Sequence, residues 1–395
     1  MLVAEAVCVA RRESRASLRA AAYFVSALAN NLPDVDIVYT WITRPRPLGS
    51  LLHHRGHTHT LLLSALGAWL LGLAIWRWFS RRNADAVPAD RRLLVGLALA
   101  GVVLHLCLDL GNNYGVHPFW PVSGRWFYGD SIFIIEPSWW AIAIPVVAEA
   151  LERRWLKVLL WVLLTAVLLL CWFLPFVSMT SRLTLLAVTA LSLLVAKRTS
   201  PSTRIRVTLA AALAVPLVFG LASTRAKAAL REATQAAFPA LTVLDVATTP
   251  MPANPTCWEG LVAGEQAGVY RVLRASVALG PGPANDCKAG MDVEPSAPVT
   301  VLTRANHGGV RWLSAYSTEV SALARLRETD CRFRAMLRFA RLPYVSASGK
   351  IAGDLRYDRG SGLDFADLPL PAPPALEDCP RWVPGWAEPR AELFR

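Results

Sequence analysis

Three polar clusters in the first third of the sequence combine metal-binding side chains with the end of an apolar run. The first is Asn30-Asn31-Leu32-Pro33-Asp34-Val35-Asp36. Pro33 stops a helix, and an extended chain beyond it points Asp34 and Asp36 the same way, at i and i+2. The second is His53-His54-Arg55-Gly56-His57-Thr58-His59-Thr60, which holds four of the seven histidines. The third is His105-Leu106-Cys107-Leu108-Asp109. At i and i+4 a helix stacks that imidazole and carboxylate on one face. Imidazoles and carboxylates together suit zinc, manganese or iron. Each cluster alone has an ordinary explanation: a helix-end turn, a surface loop, a buried hydrogen-bonded pair.

The elements around them supply the reason to take them together. Of the 395 residues 54% are apolar and 18% charged, against about a quarter charged in a soluble protein. The apolar residues are bunched into segments near 18–32, 60–79, 92–110, 131–150, 156–176, 182–196 and 207–222. A span takes about 20 residues, so 18–32 and 182–196 are short. This predicts a polytopic α-helical membrane domain of six to seven helices over 1–222, followed by a mixed α+β extramembrane domain over 223–395. Arginines followed by Ala27-Leu28-Ala29 also fit a cleaved signal peptide.

The net charge of +12 is not a nucleic-acid signature. Residues 223–395 are nearly balanced, with 20 Lys+Arg against 18 Asp+Glu. The excess lies in short loops of the membrane half. If every segment spans, 15 bases fall on one side (Arg11 to Arg19, Arg81 to Arg92, Arg153 to Lys157, Lys197 to Arg206) and 5 on the other. The positive-inside rule then puts the N-terminus inside and residues 223–395 outside. All three polar clusters land on that outer face. Ionisable groups at a membrane are costly and point to function. Trp76, Trp78 and Phe79 are expected to form an inner aromatic belt, and Trp120, Trp126, Phe127, Trp139 and Trp140 an outer one.

In the C-terminal part, Cys257, Cys287, Cys331 and Cys379 show no CxxC spacing. Two disulfides in an oxidising compartment are expected, with the pairing open. A helix is expected over Thr224–Phe238 and another over Val320–Phe339. Strands are expected at Leu241–Val246, Gly268–Val277 and Val299–Leu302, and an irregular Pro-rich tail at 369–395.

The clusters resemble those of the YdjM-type membrane-bound metal-dependent hydrolases of bacteria. The matching motifs are Pro33-Asp34-Val35-Asp36, His54-Arg55-Gly56-His57-Thr58-His59-Thr60, His105 with Asp109, Tyr114-Gly115 and Trp120-Pro121, continuing to Asp130 and Glu136-Pro137. The likeness covers about 20–150 and appears again at Pro250–Glu259, where the family carries a comparable Pro/Asn/Trp stretch opening an extramembrane domain. His57 stands where the family has an apolar residue, and Thr60 where it has Ser. The family's early Thr-His pair has no counterpart before His53, so either the start lies upstream of Met1 or one ligand is lost. The resemblance implies a bacterial inner-membrane hydrolase, distantly related to zinc phosphodiesterases. Asp34, Asp36, His59, His105 and Asp109 would hold a divalent metal, most simply zinc. His54 would be a ligand or an acid/base, and Arg55 would hold a phosphate in a bidentate fork. The expected substrate is a membrane lipid or another small phosphoester, with no nucleic acid. The alternatives are a non-catalytic membrane scaffold with a partner-binding outer domain, or a cation transporter.

Overall fold

The computed structural model describes residues 1–280, 287, 295–303, 307–360, 363–370 and 378–394. Part of the Pro-rich tail, 371–377 and 395, lies outside the described residues. The membrane half holds α1 (Leu2–Ala10), α2 (Ala16–Asn31), a 3-10 segment (Pro33–Ile42), α3 (Arg46–His53), a 3-10 turn (His57–His59), α4 (Leu61–Ser80), α5 (Pro88–Leu110), α6 (Pro137–Ala150), α7 (Arg154–Phe173), α8 (Met179–Arg198) and α9 (Pro201–Ala237). Among the described residues five helices are long and apolar enough to cross a membrane: α4, α5, α7, α8 and α9.

Two expected segments differ. Segment 131–150 becomes helical only at Pro137, where Glu136 accepts a hydrogen bond from the Ser138 amide and Pro137 takes the first turn. Its 14 residues reach about 21 Å, short of a hydrocarbon core of about 30 Å. Most of α6 is buried, packed on α7, α8 and α9. By contrast α8, expected to be short, runs a full 20 residues. Helix α2 packs beside α5, with Ala22, Val25 and Ala29 fully buried. That burial suits a retained helix better than a cleaved signal peptide.

Helices α4 and α5 form an antiparallel pair, and α2 lies along α5 in the same direction. One end of this trio is pinned by Arg15, whose guanidinium bonds both oxygens of Asp90 at 2.7 and 2.9 Å. The other end brings together the end of α2, the start of α4 and the end of α5, where the three polar clusters lie.

The C-terminal part adds β1 (Thr242–Met251), β2 (Asn254–Gln266), β3 (Val269–Ala278), β4 (Val299–Val301), β5 (Val310–Glu319), α10 (Val320–Thr329), α11 (Cys331–Met336), β6 (Pro343–Val345), β7 (Ile351–Asp354) and β8 (Leu368–Pro369). The antiparallel sheets have orders β1-β2-β3-β5-β4 and β6-β7-β8. Strands β2 and β5 were not foreseen. The single helix expected over 320–339 breaks at Asp330, whose carboxylate accepts from the Arg332 and Phe333 amides and starts α11. The disulfides are Cys257–Cys287 and Cys331–Cys379.

Helix α9 crosses positions 222 and 223 without a break and packs against β1 and β2. Leu230 on α9 lies against Gly260 of β2, where a Cβ would meet it at 2.5 Å. Loops of the membrane half also enter the core of the C-terminal part. Leu48, Leu51 and Leu52 of α3, with Tyr114 and Trp126, share one cluster with Phe333, Met336, Phe339 and Tyr344. Burying one such leucine contributes about 1.5–3 kcal/mol, so α3 is anchored by the C-terminal part. Trp126 is therefore buried in protein, and Trp120 packs on His57, not on lipid as expected of a belt.

Candidate metal centre

Pro33 ends α2, and the 3-10 segment after it carries Asp34 and Asp36 to different depths. The Asp34 side chain is 38% exposed, whereas Asp36 is fully buried. Arg55 adopts φ +57, and Gly56 has no room for a Cβ, which would meet the His53 carbonyl at 2.4 Å. That sharp turn swings His59 back under His54. Thr60 then caps α4 by accepting from the Leu63 amide.

Three ligand atoms meet at one point. Asp34 Oδ1 lies 3.5 Å from His59 Nε2 and 3.6 Å from His105 Nε2, and the two nitrogens are 3.2 Å apart. Donors around a tetrahedral ion at about 2.0–2.1 Å are spaced about 3.3–3.4 Å. The triangle Asp34, His59, His105 therefore has the size that a metal ion requires. Asp109 adds Oδ2 at 3.2 and 3.3 Å from the same two nitrogens. That oxygen is a buried acceptor with no hydrogen-bond partner. An orphaned carboxylate oxygen beside two facing imidazole nitrogens is costly in protein alone and fits a bound cation.

Asp36 was expected among the ligands, and its oxygens face elsewhere. Oδ2 accepts from the Gly56 amide at 3.2 Å and the Thr58 hydroxyl at 3.1 Å, and lies 2.9 Å from His59 Nδ1. Oδ1 lies 3.2 Å from His54 Nδ1. The carboxylate is used up behind His59. With the proton on Nδ1, it turns the Nε2 lone pair toward the cluster. Burial pushes the Asp36 carboxyl up, but its bonds to His54 and His59 outweigh this and hold it well below the usual carboxylate range. Burial pushes His59 down, yet the carboxylates of Asp109, Asp34 and Asp36 around it raise it to about 10. A cation held between the same carboxylates would displace that proton.

Arg55 was expected to hold phosphate. It is 5% exposed and already committed. Its Nη2 pairs with Asp109 Oδ1 at 2.7 Å, and its Nη1 bonds Asn112 Oδ1 at 2.8 Å and the Asp109 carbonyl at 3.2 Å. The guanidinium also lies 4.7 Å from the Tyr114 ring centre. It holds Asp109 in place, as Asp36 holds His59. Asn112, which accepts from both Arg55 and the Tyr114 amide, was not singled out for this role, and spacing alone could not reveal it.

The His54 side chain is 27% exposed, with its ring centre 5.9 Å from that of His59. His57 points away from the cluster into an aromatic pocket, 4.6 Å from Trp120 and 4.9 Å from Trp386. His307 is remote in β-structure, 3.6 Å from Glu232.

The open side of the site is apolar. Val35, Ile37, Val38 and Trp41 flank Asp34 on the 3-10 segment and are 47–71% exposed. Leu104 and Leu108, on either side of His105 in α5, are exposed as well.

Residues 1–178 match the family model described as YdjM inner membrane protein. No curated protein and no solved structure matches the chain.

Proposed function

Because residues 1–178 carry the pattern of the YdjM inner membrane proteins, a family of membrane-bound metal-dependent hydrolases, we propose that this protein hydrolyses a phosphoester at the outer membrane face, with a lipid headgroup as the substrate class. The observation that supports this best is the Asp34–His59–His105 triangle opening beside exposed Val35, Ile37, Val38 and Trp41. Exposed apolar side chains beside the site suit a membrane surface, where the phosphoesters of lipid headgroups are concentrated.

Asp34, His59, His105 and Asp109 would hold the cation, and the His/carboxylate donor set favours zinc. When bound, the cation supplies a Lewis acid for water and for a phosphoryl oxygen. The chain supplies the rest. Asp36 orients His59, and Arg55 with Asn112 orients Asp109. His54, fixed through Nδ1 by Asp36 and partly open to solvent, is the proton-transfer group. The orphaned Asp109 oxygen and the buried supporting groups make a finished site a better reading than an incidental surface cluster.

The test is elemental analysis of the purified protein together with metal-dependent turnover on a panel of phospholipids and soluble phosphodiesters. His59→Ala and Asp34→Ala should lose both metal and turnover while still expressing, and His307→Ala should keep both. Wild-type protein with no bound divalent metal and no metal-stimulated turnover rules the proposal out.

A further inference from the structure

The turn that carries the ligand His59 is held from outside by the far end of the chain. Thr43, just before α3, places its hydroxyl 3.0 and 3.2 Å from the carbonyl oxygens of Arg381 and Trp382. The same hydroxyl lies 2.8 Å from His53 Nε2. After α3, the Trp386 indole N–H donates to the Leu52 carbonyl at 2.8 Å. The Trp386 ring lies 3.7 Å from His117 and 4.9 Å from His57 and is 1% exposed. The Ala387 amide donates to the Gly124 carbonyl at 3.0 Å. Gly124 allows that approach, since a Cβ there would meet the Gly385 carbonyl at 2.7 Å. The segment is tied down by Cys331–Cys379 on one side and by Arg338, which bonds the Trp386 carbonyl at 3.0 Å, on the other.

Residues 54–56 between these grips are outside regular structure, with Arg55 at positive φ. Such a turn has little intrinsic preference for one shape, and a metal ligand displaced by an ångström is lost. Asp36 secures the turn from the membrane side. From the outer side the contact is Trp386, a flat ring wedged against His57, two residues before His59. This also accounts for an imidazole at position 57, which packs between the indoles of Trp120 and Trp386.

We propose that Trp386 is a positioning residue of the metal centre: the segment from Cys379 to Ala387 clamps the 52–59 turn so that His59 meets Asp34 and His105. It rests on the metal reading above, and it makes metal retention depend on a residue far outside the family-matched 1–178.

The experiment uses the full chain in detergent with cobalt(II) as the probe. Affinity is read by competition, site geometry by the visible d–d spectrum, and the turn by hydrogen exchange of residues 52–60 without added metal. Trp386→Ala should weaken cobalt binding about ten- to a hundredfold, the range for lost supporting contacts. It should alter the spectrum and speed exchange over 52–60, while β1 to β3 exchange as in the wild type. Trp386→Phe, which keeps a ring against His117 and His57, should recover most of the affinity. Wild-type affinity and spectrum in Trp386→Ala overturn the proposal. So does exchange that rises equally over β1 to β3, because the tryptophan then supports the whole domain and not the turn. If the wild type binds no cobalt, the metal reading fails. In that case selective loosening of 52–60 still supports the clamp, and its absence overturns it.

Discussion

Replacing Asp36 by Asn separates a supporting carboxylate from a ligand. Asp36 Oδ2 faces three donors, Gly56 N–H, the Thr58 hydroxyl and His59 Nδ1, while Oδ1 faces only His54. In Asp36→Asn the amide oxygen can take the crowded side. The amide N–H2 then meets His54, which can switch tautomer and accept. The hydrogen bonds survive, and the negative charge behind His59 is lost. A charge-assisted bond is about twice as strong as a neutral one, and loss of such a partner typically lowers metal affinity about 10–100-fold, or about 1.4–2.8 kcal/mol. Asp36→Ala is different in kind. It strands three donors around a fully buried position at about 1–3 kcal/mol each, so folding fails along with metal binding. The assay is chelator competition for zinc on purified protein, with thermal unfolding in parallel. Asp36→Asn should unfold close to the wild-type temperature and bind zinc 10–100-fold more weakly, while Asp34→Asn should lose much more. Equal losses in Asp36→Asn and Asp34→Asn would make Asp36 a ligand and refute the assignment. Unchanged affinity in Asp36→Asn would refute the orienting role.

Arg341 bonds Asp130 at 2.7 and 3.0 Å and Asp245 at 2.6 and 3.0 Å, joining the loop after α5 to β1. Arg341→Met should cost about 3 kcal/mol, because Lys227 remains for Asp130 but Asp245 loses its main partner; the urea midpoint of the extramembrane part reports it. Burial raises the Asp245 carboxyl, but the charges of Arg341 and then Arg390 outweigh it and lower it to about 2. Its stabilisation is thus complete above about pH 4 and disappears as pH falls through about 2, an effect on the order of 2 kcal/mol that acid unfolding should show and Arg341→Met should flatten. Non-reducing peptide mapping should find Cys257 with Cys287 and Cys331 with Cys379; four alkylatable thiols in native membranes would contradict it. A reporter fused after Arg395 should be active only in an export-dependent form, and a cytoplasm-only reporter active there would overturn the orientation.

The division into an apolar half and a globular half, the three clusters of potential metal-ligating residues and the candidate disulfide cysteines were legible in the sequence. Each is a local property: apolar runs set by span length, residue types with known ligand chemistry, cysteine spacing without CxxC. Tertiary structure decided what each side chain does. Asp34 and Asp36 are equivalent as letters two positions apart, yet one reaches the cluster and the other lies behind His59, because 54–60 folds over Asp36. Arg55 reads as a free cation until α5 brings Asp109 and Asn112 beneath it. Segment 131–150 reads as a span until Pro137 and packing on α7, α8 and α9 shorten and bury it. Trp386 has no signal at all in a Pro-rich tail, since its partners Leu52, His57, His117 and Gly124 lie more than 250 positions away. Composition and spacing report the chemistry a segment can offer. Which atom offers it, and which is spent on support, depends on contacts between segments that local patterns do not encode.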